Sequence, residues 1–201
     1  MPFTLPAWYN QHWHCWNAID ASSFQEEVCM EYHAAFDYIR DLLTLPEVVE
    51  TRHHMHHSIP KHDHLTRSVR MSYHLSRLLR ADIRTCVRAA LLHDINSRAG
   101  TLTTHGRVAA RWAAAQGEDS AVCAAIESHM YPLGPAPTSR EAWVLVLADK
   151  AASLGDIKQF LAGLIDGRSL EERRRLKETD PYYRQRSRRR LFRRWRARYT
   201  R

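Results

Sequence analysis

The stretch "ALLHDINSRAG", residues 90–100, sets His93 and Asp94 directly behind an apolar run. The run from Ile83 reads as a helix with a buried Ala and Leu face, and "NSRAG" ends it near His93. An imidazole and a carboxylate at the buried end of a helix are costly unless each finds a partner. These residues leave two readings open. A histidine in the last turn suits the helix dipole, which would make the pair a cap. Both side chains are also good ligands for a divalent ion. That second reading requires more histidines and carboxylates to converge on the same point.

Working outward from this stretch, the chain reads as helices throughout. Ala, Leu and Arg dominate, alternating β-branched runs are missing, and no strand is expected. Helices are predicted over Ser22–Leu43, His64–Arg80, Ile83–His93, Thr104–Gln116 and Ser120–Met130. Another begins near Arg140 behind a Ser139 cap, and a further one covers Asp156–Ile165. The segment from there to Pro181 is polar. The expected fold class is all-α, a compact helical bundle.

On that scheme the polar candidates fall at helix ends or on apolar faces. His64 opens one helix, His93 and Asp94 end the next, and His105 opens a third. His129 ends a fourth, and Asp149 sits inside the apolar "VLVLADKAA". A buried Asp149 needs a cation: a metal, or in the plain reading an arginine such as Arg88. His105 and His129 read equally simply as a helix start and a helix cap.

The order His, His-Asp, His, His, Asp resembles the HD-domain superfamily of metal-dependent phosphohydrolases. The likeness is carried by "HLTRSVRMSYHLSRLL" from His64, "ALLHD", "THGRVAARWA", "IESHMYPL" and "LADKAAS", and it covers about residues 52–160. It implies that His64, His93, Asp94 and Asp149 hold one metal ion. It also implies that His105 and His129 hold a second, with Asp94 bridging. Four imidazoles and two carboxylates suit one or two divalent transition ions: Fe, Mn, Co, Ni or Zn. The activity implied is hydrolysis of a phosphomonoester or phosphodiester, nucleotide-like and small, by a metal-activated hydroxide. Asp94 and Lys150 are the catalytic candidates. Lys61, Arg98 and His57 are the candidate substrate contacts.

Two branches of the superfamily fit poorly. The (p)ppGpp hydrolases carry an acidic pair soon after the doublet, where this chain has Ile95, Asn96, Ser97 and Arg98. The cyclic-di-GMP branch carries a lysine three residues after the aspartate, where this chain has Ser97, and a Gly-Tyr-Pro motif absent from this sequence. Two other classes share the framework. One is the HD-type mixed-valence di-iron oxygenase, with the same six ligands. The other is an HD scaffold whose basic tail binds nucleic acid or membrane.

The remaining histidines have plainer readings. "HHMHH" at 53–57 reads as a solvated linker lining the mouth of the site, with substrate contact by His56 or His57 as the less favoured alternative, and His12, His14, His33 and His74 as surface or packing residues. His74 stands ten residues beyond His64, about 15 Å along a helix, too far to share an ion. Trp112 and Trp143 are expected in the core.

The net charge of +8 is localised. Residues 184–201 hold ten arginines and no acid; the other 20 basic residues face 22 acidic ones. As a helix, this tail would align Leu191, Trp195 and Tyr199. Such a helix suits an anionic membrane surface or a nucleic acid backbone, or docks on its own bundle. Four scattered cysteines, no apolar run long enough to span a bilayer and no signal-peptide pattern point to a cytoplasmic protein. The expected organisation is an N-terminal helical segment over 1–50, an HD domain over 51–166 and an extension over 167–201.

Overall fold

The computed structural model describes residues 34–56, 58–165 and 167–180. Contacts divide the chain into Met1–Ala34 and Ala35–Arg201, and the second unit carries everything that follows. Its elements in chain order are α1 (Pro46–Glu50), β1 (Met55–His56), β2 (Ile59–Pro60), α2 (Lys61–Leu79), α3 (Ile83–Leu92), α4 (His105–Ala115), α5 (Ser120–Ser128), α6 (Arg140–Ile165) and α7 (Arg168–Thr179). Short 3-10 turns lie at Leu42–Thr44, Thr51–His53 and Ser97–Ala99. The all-α expectation holds, with one two-residue hairpin added.

Helix α3 is the central rod. Asp82 caps its start by accepting from the Thr85 amide at 2.7 Å. Every residue from Cys86 to Leu92 is buried, as expected of a helix enclosed on all sides. Helices α2, α5 and α6 pack around it. In α2, Leu65, Val69, Ser72 and Ser76 recur at spacings of four, three and four and form one buried stripe. Ser139 starts α6 as expected, its hydroxyl accepting from the Ala142 amide at 3.1 Å.

Three departures from the sequence reading have physical causes. Helix α6 runs unbroken through Gly155 to Ile165, because Ala148, Ala152 and Asp156 stay buried against the bundle and override the local propensity. Helix α7 lies in the segment read only as polar; Leu176 is its one buried side chain, so it carries no apolar period to detect. The "HHMHH" linker is a hairpin that pairs Met55 with Pro60 and His56 with Ile59. Ser58 turns it with φ of 80°.

Trp143 is half-exposed instead of core. Of the helix expected over Ser22–Leu43, the described part ends at Asp37, before the turn at 38–41. His57, the Arg-rich tail at 184–201, Cys15 and Cys29 lie outside the described residues. Cys86 and Cys123 are free thiols. Among the described residues no helix is long and apolar enough to cross a membrane.

Arg88 is not the partner of Asp149. Its guanidinium, on buried α3, donates to Glu118 (Nε to Oε2, 2.8 Å), to both Asp41 oxygens at 2.8 Å and to the Tyr38 carbonyl at 2.8 Å. Glu118, just ahead of α5, is almost wholly buried. The cluster ties the segment before α1 and the entry to α5 onto the central rod.

Candidate metal centre

Helix ends place the histidines. His93 and His129 are the C-caps of α3 and α5. Each turns Nδ1 back onto its own helix. His93 donates to the Ala90 carbonyl at 2.9 Å, and His129 to the Ile126 carbonyl at 2.7 Å. His105, at the start of α4, donates Nδ1 to the Thr101 carbonyl at 3.1 Å. His64, in the first turn of α2, directs Nδ1 at Asp156 Oδ2, 2.7 Å away. A carbonyl accepts only, so three rings carry their proton on Nδ1, and the Asp156 carboxylate favours the same tautomer at His64. In their neutral form all four rings therefore present an Nε2 lone pair. The capping reading and the ligand reading are compatible, since each ring does one job per nitrogen.

The lone pairs converge. His64 Nε2 and His93 Nε2 stand 3.3 Å apart, and His105 Nε2 and His129 Nε2 stand 3.1 Å apart. Asp149 Oδ1 lies 3.3 Å from His64 Nε2 and 3.6 Å from His93 Nε2. Asp94 Oδ1 lies 3.5 Å from His105 Nε2. Two acceptors facing each other at such distances have no hydrogen to share. Cis ligands on an ion bound at about 2.1 Å are about 3.0–3.4 Å apart, which fits these spacings. Two groups within 4.8 Å, His64, His93 and Asp149, and His93, Asp94 and His129, have His93 in common. The donor set fits one or two divalent ions.

Electrostatics agree with that fit. Burial alone would depress His64, but Asp149 and Asp156 overcome it and raise its pKa to about 9, so the pocket calls for positive charge. Burial lowers His129 to about 4, which keeps its ring neutral. Burial would raise both aspartates. The adjacent His64 and His93 rings outweigh it for Asp149, and His56 with the charge of Lys61 does so for Asp94, leaving both carboxyls well below the usual range.

The close approach of α4 to α5 depends on Gly106. A Cβ there would stand 3.0 Å from the Ile126 and Glu127 carbonyls and 3.2 Å from His129 Nδ1. Gly106→Ala is expected to push His105 and His129 apart and weaken metal binding by that pair by about tenfold, as disturbance of supporting groups does. Metal titration followed by elemental analysis checks this.

The structure thus brings His64, His93, Asp94, His105, His129 and Asp149 together, from five helices. Lys150 Nζ stands 3.9 Å from Asp149 Oδ2 with its side chain half-exposed. The other two described candidates are placed differently. Lys61 is buried and donates to the Asp94 carbonyl at 2.9 Å and to Ser97 Oγ at 2.8 Å, bracing the backbone behind the doublet. Arg98 pairs with both oxygens of buried Asp180 and donates to the Met55 carbonyl at 2.9 Å, so it is a clamp and not an open phosphate contact.

Sequence reasoning missed Asp156 and weighed His56 only as a substrate contact. His56, carried in by the hairpin, stacks on the His64 ring at 4.3 Å and sets Nδ1 3.1 Å from Asp94 Oδ2. Asp156 is fully buried and holds His64 while pairing with Arg67. Its signal was available: seven residues past Asp149 is two helical turns on the same face. The hairpin gave no comparable pattern.

Residues 62–154 match the family model of the HD domain. No curated protein and no solved structure matches the chain. Asp156 lies just past the matched segment, whereas the six convergent side chains all lie within it. That match supports placing residues 62–154 in the HD-domain superfamily, whose general chemistry is metal-dependent phosphoester hydrolysis.

Proposed function

We propose that this protein hydrolyses a phosphomonoester or phosphodiester of small, nucleotide-like size at a two-ion centre. His64, His93, Asp94 and Asp149 would hold one ion, and Asp94, His105 and His129 the other. The observation that carries the reading is the set of four imidazoles anchored through Nδ1, with their Nε2 atoms gathered around Asp94 and Asp149. The chemistry such ions supply when bound is Lewis acidity toward a phosphoryl oxygen and activation of water near neutral pH.

The chain's own groups do the rest. Asp94 and Asp149 stay ionised and balance the charge of the ions. Lys150, on a half-exposed stem beside Asp149, is the cation within reach of an arriving phosphate. His56 places a ring nitrogen against Asp94 at the rim, where it can hold a proton between carboxylate and solvent. Asp156 keeps the His64 Nδ1 proton in place. Asp156→Asn is expected to cut metal affinity or turnover by about 10- to 100-fold, the usual effect of losing such a support. Asp156→Glu should recover part of it.

The deciding experiment loads the full chain with Mn, Fe, Co, Ni or Zn anaerobically and offers a panel of nucleotides and simple phosphoesters. Phosphate release without oxygen supports the proposal. Oxygen uptake with a phosphonate or polyol, accompanied by a mixed-valence iron signal, would replace it with oxygenase chemistry.

A further inference from the structure

Helix α6 has a second apolar face besides the one in the core. Trp143, Leu147, Leu154, Ile157, Leu161 and Leu164 alternate at four and three residues, with Lys150 filling the remaining position. That 3.5-residue repeat is the seam of a coiled coil, which stays in register with a partner helix along its length. The seam is about 32 Å long at the usual helical rise. Its six apolar members are between 37% and 70% exposed. The inward face is a different set, including Val144, Leu145, Ala148 and Ala152.

We propose that this seam is a dimer interface, packed antiparallel against the same seam of a second copy. Three observations favour that occupant, independently of the reaction proposed above. First, a heptad seam is matched by a helix of equal repeat and length, which a second α6 provides. Second, the six side chains and neighbouring Ile165, itself 91% exposed, present on the order of 700 Å² of surface, close to the ~800 Å² per partner of a standard interface. Third, the charge pattern selects the direction. A parallel pair would stack Lys150 on Lys150 in one layer. An antiparallel pair centred between Leu154 and Ile157 sets Lys150 opposite Leu161 of the partner subunit. The two ammonium groups then lie about 16 Å apart along the axis. Lys150 already leans toward its own Asp149, off the seam.

Sedimentation equilibrium of the full chain tests this at micromolar concentration. The expected species has twice the 23.5 kDa chain mass. Leu154→Glu with Leu161→Glu should give a monomer of unchanged helicity and metal content. Leu78→Glu, a control on α2 where Leu78 is 75% exposed, should stay dimeric. A monomeric parent chain overturns the proposal. So does a dimer that survives the double substitution, or one dissolved by Leu78→Glu. A monomeric chain in which Leu154→Cys resists maleimide would show the seam covered from within the chain, and also overturns it.

Discussion

Asp94→Ala is expected to remove at least one of the two ions proposed above and to lower the proposed phosphate release by a factor of 10³ or more. This carboxylate faces a different ring with each of its oxygens. Its Oδ1 lies 3.5 Å from His105 Nε2, and its Oδ2 lies 3.1 Å from His56 Nδ1. It also shares a potential ion group with His93 and His129. Losing it takes away a negative charge that sits fully among cationic and metal-seeking neighbours. The remaining imidazoles would then have to gather ions with Asp149 alone. A factor of 10³ corresponds to about 4 kcal/mol of transition-state stabilisation. Elemental analysis gives the ion count, and single-turnover phosphate release gives the rate. Two ions retained with normal turnover would remove Asp94 from the centre. Asp94→Asn keeps the shape without the charge, so it separates packing from electrostatics.

Arg88→Met is expected to destabilise the fold by about 3–5 kcal/mol, the usual result of breaking a buried ion pair from one side. The cause is Glu118, whose carboxylate would stay buried with its main donor gone. Asp41 is far more exposed and would be solvated instead, so it adds little. At about 2–4 °C per kcal/mol for a chain of this size, the midpoint should fall by roughly 10 °C. Arg88→Met with Glu118→Leu should recover much of the loss, because it removes both charges. Thermal and urea unfolding of the three proteins measures this. An equal loss in the double variant would show that packing, not the stranded charge, sets the cost.

Much of this centre was legible in the residues because helices report their own geometry. Caps and stops put His93 and His129 at helix ends, and periodicity put Asp149 on an apolar face. Those signals are local, and the structure places all six side chains together accordingly. What the chain did not disclose depends on contacts remote in sequence. His56 reaches Asp94 through a two-residue hairpin that is too short to leave a pattern. Arg98 looked available for phosphate because Asp180, its partner, lies 82 residues away. Helix α7 escaped notice for the same reason, since Leu176 and the final carboxylate seat it, and neither creates a repeat. Asp156 could have been found from its spacing to Asp149, but a carboxylate two turns along the same face is informative only once the first is placed.

The clamp formed by Asp180 also sets how far the chain can be shortened. The family match stops at residue 154, yet the Met55 amide donates to Asp180 Oδ2 at 2.9 Å and Arg98 closes on the same carboxylate. A truncation at 166 would take the carboxylate from Arg98 and the acceptor from the Met55 amide at the foot of the hairpin that carries His56. The hydroxyl of Ser97, beside Arg98, also accepts from Lys61, which holds the Asp94 carbonyl as well. A fragment that keeps these contacts must therefore run through Asp180, a single carboxyl group serving as the latch.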